Sequence, residues 1–256
     1  RHGEMGWMAA HGNKRSRPAE LEPDTVRVLS LRMDYLPPDT QPVKVLQQKE
    51  KAYVSRYALG RDYHKLVRKR LARLAALIRE EVADTRLARA FVDSAPVMEK
   101  PLAEKAGLGW QGKHTLILNR HAGSWFFLGE IYTDLPLPVD GPAEDHCGKC
   151  DDCQLMCPWN RFASHSKETD FQPRHGLADS ELVTLFQWDE ETFLRRTEGS
   201  PIRRAGFERW RRNLAVALGN GPASPQALAA LEAALDDPSD LVREHASWAL
   251  RRLREK

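Results

Sequence analysis

All four cysteines of this 256-residue chain fall between positions 147 and 157, in the stretch CGKCDDCQLMCPWN. Their spacing is Cys147-x2-Cys150-x2-Cys153-x3-Cys157-Pro158, the run with which bacterial-type ferredoxins hold iron–sulfur clusters. Thiolates two and three residues apart can converge on one cubane. A disulfide framework fits less well, because half-cystines bridge distant parts of small secreted chains. Zinc is the stronger rival, although structural zinc sites usually hold two cysteine pairs about a dozen residues apart or more. The run is also chemically incomplete. In the bacterial pattern the fourth cysteine ligates a second cluster, so one copy of the motif leaves two clusters short of ligands.

The length allows a real core and more than one domain. A hydrophobic content of 41% with 29% charged residues fits a soluble globular protein, and the most apolar stretch, SWFFLGEIY, is too short for a membrane span. The opening RHGEMGWMAAHGNKRSRP lacks the apolar centre of a secretory signal, so a cytoplasmic location is expected, where thiolates stay reduced. Without a methionine at position 1, the chain is expected to begin partway into its natural sequence. The net charge of +3 names no partner. Its distribution says more: seven arginines (195, 196, 203, 204, 209, 211 and 212) face two acids, Glu198 and Glu208, with Phe207 and Trp210 interleaved. Such a mixture suits a phosphate backbone with splayed bases, although a solvated helix face is the favoured reading.

Up to residue 140, strand-like and helix-like segments alternate, which predicts an α/β domain. Residues 25–33 alternate apolar with polar and read as a strand. Residues 61–82 place Tyr63, Leu66, Val67, Leu71, Leu74, Leu77 and Ile78 near helical spacing, with Lys65, Arg68, Lys69 and Arg73 opposite. RAFVDSAP predicts a strand ending at Asp93, PLAEKAG a helix stopped by Gly107, and HTLILN with GSWFFLGEIYTD two strands joined by a short turn. The proline-rich 134–145 is a linker. Beyond a polar stretch, 161–180, three helices follow, with Ser or Asp caps. Asp237 to Leu250 resembles a HEAT-type repeat, which needs a neighbour to cover its apolar face.

Asp93 lies where a predicted strand ends, a place where α/β folds put ligand-facing groups, so it is a candidate general acid; it or Ser94 equally suits capping the next helix. GLGWQGK (107–113) lacks the spacing of a nucleotide phosphate loop, so its glycines are expected to serve a tight turn or the close approach of backbone to a large flat ligand. His64 is open to two readings, an axial metal ligand or a surface group at a helix start.

The segments RHGEMGWM, RYALGRDYHK, FVDSAPVMEKPLAEKAGLGWQGKHTLILN, GSWFFLGEIYTDLPL, CDDCQLMCPWNRF and RRNLAVALGN together resemble the epoxyqueuosine reductases, cobalamin-dependent iron–sulfur enzymes of queuosine-tRNA maturation. The resemblance runs over nearly the whole chain. It implies an α/β cobalamin-binding domain (1–140), a ferredoxin-like iron–sulfur domain (141–175) and C-terminal α-helical HEAT-like repeats that bind tRNA (176–256). It implies an oxidoreductase for the last step of queuosine biosynthesis. The epoxide of epoxyqueuosine at the anticodon wobble position would be reduced with cobalamin and electrons relayed through two 4Fe-4S clusters. Asp93 matches the family's proton donor. Arg17, Ser55, Tyr57, Asp93, Ile117, Leu118 and Gly129 match its corrin pocket, and the cobalamin-ligating pattern Asp-x-His-x-x-Gly is absent. Arg203, Arg204, Arg211 and Arg212 are the expected tRNA contacts. An external electron donor is required, no membrane is involved, and a monomer is expected.

In the family two cysteine motifs stand several dozen residues apart, whereas here HCGK runs straight into CDDCQLMCPWN. The expectation is a segment missing between Lys149 and Cys150 that carries four more cysteines. Cys147 and Cys157 would then serve one cluster, and Cys150 and Cys153 the other. Two other classes stay open: a reductive dehalogenase-like cobalamin and iron–sulfur reductase, which needs no arginine-rich helical end, and a helical-repeat RNA-binding protein with a structural metal site.

Overall fold

In the computed structural model, which describes residues 6, 10–38, 40–112, 114–141, 160 and 162–255, the alternating apolar stretch near residue 30 forms strand β1. The short helix α1 (Pro18–Leu21), opened by its proline, precedes β1 (Arg27–Asp34). An excursion, 37–62, then carries α2 (Pro42–Gln47) away before the chain resumes with α3 (Tyr63–Glu81) and β2 (Ala88–Phe91). After them come α4 (Glu99–Lys105), the two-residue strands β3 (Trp110–Gln111) and β4 (Ile117–Leu118), and β5 (Phe126–Thr133).

The sheet order is β1-β5-β2, and both neighbours run antiparallel to β5. Helices and strands alternate as expected, but the sheet is antiparallel: β1 and β2 point the same way with β5 inserted between them, a split β-α-β arrangement. The 3.6-residue period of α3 lays Val67, Leu71 and Ala75 onto Ala88, Val92 and Ile131 on one face of the sheet. The opposite face packs Phe91, Val97 and Tyr132, and beside them Ala103 of α4 with Ile117 and Phe126. Gly129, at the centre of β5, is required for this packing, since a Cβ there would stand 2.5 Å from Leu71 Cδ1.

HTLILN and GSWFFLGEIYTD give strands β4 and β5, joined as expected by a turn in which Asn119 N–H donates to Gly123 O at 2.8 Å, but β4 pairs with Trp110–Gln111 rather than with β5. The cause is the close approach at Gly109, where a Cβ would lie 2.1 Å from the Leu118 carbonyl oxygen, together with the Asn119 side-chain amide donating to Leu108 O at 2.6 Å. The glycines of GLGWQGK therefore admit the chain's own backbone, and Gly107 supplies the left-handed residue (φ +71°) that ends α4.

Contacts divide the chain into one unit of Arg1–Leu36 with Tyr63–Ser166 and a second of Pro37–Asp62 with Lys167–Lys256. The second unit is helical: α5 (Leu182–Phe186), α6 (Glu190–Arg196), α7 (Phe207–Asn220), α8 (Pro225–Ala233) and α9 (Asp240–Arg254). Residues 37–62 belong to it although the expected first domain, 1–140, contains them. Ala52 and Leu59 enter its core, Ala52 N–H donates to Ser180 O, and Lys51 pairs with Glu181 at 2.8 Å. The expected serine caps are present on α8, where Ser224 Oγ accepts from Ala227 N–H, and on α9, where Ser239 Oγ accepts from Val242 N–H. Helix α7 departs from that pattern, since Gly206 (φ +77°) precedes it without a side-chain cap. Among the described residues no helix is long and apolar enough to cross a membrane.

Candidate active site

Strand β2 ends at Phe91, and the chain turns as Ala95 N–H donates to Val92 O at 3.2 Å. Within this turn Asp93 adopts φ +36°, a left-handed conformation that aspartate tolerates better than most residues. Its carboxylate meets the first turn of α3. Tyr63 Oη donates to Asp93 Oδ2 at 2.5 Å, and His64 Nε2 lies 2.7 Å from the same oxygen. The Tyr63 ring is itself stacked on Phe127 of β5, with centroids 3.8 Å apart, which fixes the hydroxyl. The Asp93 side chain remains 49% exposed, whereas His64 is 13% exposed.

A second acid holds the turn from behind. Asp93 N–H donates to Oε1 of Glu99, the first residue of α4, at 2.5 Å. Burial pushes the Glu99 carboxyl up to about 7, with the Asp93 charge adding to the rise and the Asp93 amide and Lys100 opposing it. Glu130, fully buried on β5, is pushed up to about 9 by burial and then by Glu99. Neither Glu130 oxygen has a hydrogen-bond partner among the described residues, and the Tyr132 hydroxyl beside it has none either. A carboxyl so placed is neutral at pH 7, because an unpaired buried charge is far costlier than a buried acid.

Beside Asp93 opens a cavity of about 200 Å³. Tyr63, Asp93, Glu99, Lys100 and Ser124 form its polar part, while Leu116, Ile117, Phe126, Phe127 and Leu128 make an apolar wall. The arrangement places a carboxyl group at an apolar surface, with one of its oxygens gripped by two side chains.

A family model described as epoxyqueuosine reductase QueG, DUF1730, matches residues 15–94, and a HEAT-like repeat model matches 213–253. The epoxyqueuosine reductase of Pseudomonas aeruginosa is 56% identical over 303 residues, covering 98% of this chain and 83% of the relative. The chain belongs to the epoxyqueuosine reductase family. The Xanthomonas campestris member is 51% identical over 300 residues, covering 97% and 84%. The same fold occurs in a solved epoxyqueuosine reductase bound to a tRNA-Tyr stem loop modified with epoxyqueuosine, with a TM-score of 0.81 at 22% identity over 94% of this chain and 77% of that one. The Pseudomonas alignment spans 303 positions against the 256 residues here, so that reductase has at least 47 positions this chain skips.

Of the residues expected for an epoxyqueuosine reductase, Asp93 and Ile117 line the cavity, and Leu118 is fully buried next to Ile117. Arg17 lies elsewhere in the same unit, paired with Glu20 at 2.8 Å along a separate groove of about 750 Å³ bounded by β1 and the end of α4. Ser55 and Tyr57 are exposed residues of the second unit. His64 directs Nε2 at Asp93. Cys147, Cys150, Cys153 and Cys157 lie outside the described residues.

The four arginines divide. Arg203 and Arg204 are exposed; Arg203 donates to Leu194 O, and Arg204 pairs with Asp62. Arg211 is turned inward, paired with the buried Asp237 and lying 4.8 Å from the Phe186 ring centroid. Arg212 is half-buried. The interleaved aromatics also face inward: Trp210 stacks on Trp188 at 5.7 Å, and Phe207 packs against Phe193. They are core residues, which corrects their reading as stacking platforms for bases.

The sequence places Tyr63 on the apolar face of α3 but does not show its bond to Asp93 or the burial of Glu130. The signals were present, since a tyrosine on an apolar face needs a partner for its hydroxyl and Glu130 interrupts an otherwise apolar strand.

Proposed function

We propose that the chain reduces the epoxide of epoxyqueuosine in tRNA to the alkene of queuosine, with Asp93 as proton donor. The observation that carries this reading is the Asp93 carboxyl, gripped by Tyr63 and His64 at an apolar cavity, in a member of this family. The overall change takes two electrons and two protons and releases water. Expelling the epoxide oxygen as an alkoxide is costly, so a positioned acid typically contributes about 10²–10⁴-fold. Asp93 would hand its proton to that oxygen. Tyr63 Oη and His64 Nε2, both on Oδ2, then stabilise the carboxylate left behind.

The residues fit the cofactors in their donor chemistry. His64 is engaged with Asp93, which suits a corrin bound without a protein imidazole, and the Phe126–Leu128 wall offers the apolar surface such a macrocycle needs. Bound cobalamin would supply the electron pair, replenished through two 4Fe-4S clusters from an external donor. Cys147, Cys150, Cys153 and Cys157 would hold the clusters, with further cysteines in a segment skipped between Lys149 and Cys150; the number of positions that the Pseudomonas reductase has in excess leaves room for such a segment. Ile117, in the cavity wall, and Leu118 next to it are proposed as corrin neighbours.

The arginine-rich helices, 176–256, are proposed as the tRNA-binding region, with Arg203, Arg204 and Arg212 contacting phosphates and Arg211 holding the scaffold beneath them. A dehalogenase-like reductase would have no use for such a region.

The test is Asp93→Asn in anaerobically purified, cobalamin-loaded protein. Turnover of epoxyqueuosine-tRNA is expected to fall at least about tenfold while iron content and tRNA affinity stay unchanged. Turnover at the parental rate would remove Asp93 from the mechanism.

A further inference from the structure

Two carboxyls behind Asp93 have no part in the proton donation just described. Glu99 accepts from the Asp93 amide at 2.5 Å, and Glu130, fully buried, faces the same side of the sheet as α4. Register places Glu130 directly opposite Phe91, two residues before Asp93. We propose that Glu99 is a positioning residue for Asp93: it grips the Asp93 amide, and so holds the strained turn that presents the carboxyl to Tyr63 and His64, with the buried Glu130 behind it. The inference rests on Asp93 being the proton donor.

A residue other than glycine keeps φ at +36° only when its surroundings impose it. Two bonds restrain Asp93 at its side chain, and Glu99 restrains it at the backbone. Without Glu99 the turn is free to relax, and the carboxyl leaves its two partners. The grip depends on protonation. An ionised Glu99 makes a charge-assisted bond, roughly twice as strong as a neutral one, so the turn tightens as pH rises through the Glu99 titration. The groups facing Glu99 are Asp93 on the turn, Lys100 on its own helix, and Glu130 with Tyr132 on β5; on the far side of Asp93 stand Tyr63 and His64, and Arg68 reaches Ser94. Glu130 adds no charge to oppose that ionisation as long as it keeps its proton, which it does to about 9.

The experiment compares Glu99→Ala, Glu99→Gln and Asp93→Asn in the loaded, full chain. It reads kcat and KM for epoxyqueuosine-tRNA across pH, and amide hydrogen exchange of the 92–98 segment without tRNA. Glu99→Ala is expected to lower kcat about tenfold with KM within about twofold, and to speed exchange in the turn. Glu99→Gln keeps an oxygen for the Asp93 amide. It is expected to restore most of kcat and protection while losing the inflection at about 7. Unchanged kcat and exchange in Glu99→Ala, with Asp93→Asn inactive, would overturn the positioning role alone. An inflection kept by Glu99→Gln would overturn it too, and decides the matter if Glu99→Ala does not fold. Full activity of Asp93→Asn would instead remove the donor reading, leaving exchange to decide whether Glu99 holds the turn.

Discussion

Each unit of the molecule buries an acid, and the two acids are treated in opposite ways. Asp237, in the helical unit, is compensated on every side: Arg211 pairs with Oδ2, Ser239 N–H donates to Oδ1 at 2.9 Å, and Arg243 donates to its carbonyl at 2.5 Å. Glu130, in the sheet unit, is buried more deeply still and has no such partner among the described residues. A compensated acid ties helices together. An uncompensated one must hold a proton, and it does so behind the turn that carries Asp93. The contrast separates a carboxyl that ties a scaffold together from one that is buried without a counter-charge behind the candidate site.

The comparison breaks most severely if Asp237 is made to resemble Glu130. Arg211→Ala leaves Asp237 without its guanidinium, and stripping one partner from a buried pair typically destabilises by about 3–5 kcal/mol. Urea unfolding should show that loss for the helical unit, and Asp237→Asn in the same chain should recover part of it. A loss below about 1 kcal/mol would mean that the pair contributes no more than an exposed one.

Glu130→Gln sharpens the comparison from the other side through pH. The folded chain holds the Glu130 proton to about 9, whereas the unfolded chain releases it near the ordinary glutamate value of 4.5. Between those limits folding binds the proton, so this contribution to stability is complete below the lower value and is lost as pH rises through the upper one. Glu99 acts in the same direction up to about 7. The variant should therefore melt close to the parent in mild acid and above it at alkaline pH. A constant difference in Tm across that range would mean that Glu130 does not titrate in this window.

The smallest effect is expected at Ser239, which caps α9 next to Asp237 and donates to Glu208 at 2.6 Å. Ser239→Ala should cost about 1 kcal/mol, the usual worth of an N-cap, measured by the same urea unfolding. A cost as large as that of Arg211→Ala would move the centre of the Asp237 network from the guanidinium to the hydroxyl.

Much of the molecule was legible along the chain. The apolar stripe of α3, the serine caps of α8 and α9, the HEAT-like unit and the strand leading into Asp93 are local patterns, because helical and strand periods repeat within a few residues. The cysteine spacing and the joint occurrence of six segments pointed to the family in the same way. What the one-dimensional pattern left open depends on contacts between residues far apart. Tyr63 meets Asp93 across 30 positions and Arg211 meets Asp237 across 26, while the excursion at 37–62 leaves the sheet unit to cover helices more than a hundred residues later. The two strands expected at HTLILN and GSWFFLGEIYTD are present, but that the first pairs with Trp110–Gln111 depends on the backbone approach at Gly109. Periodicity says which face of a segment is apolar. Only packing decides which distant face it meets, and therefore which acid finds a cation and which keeps its proton.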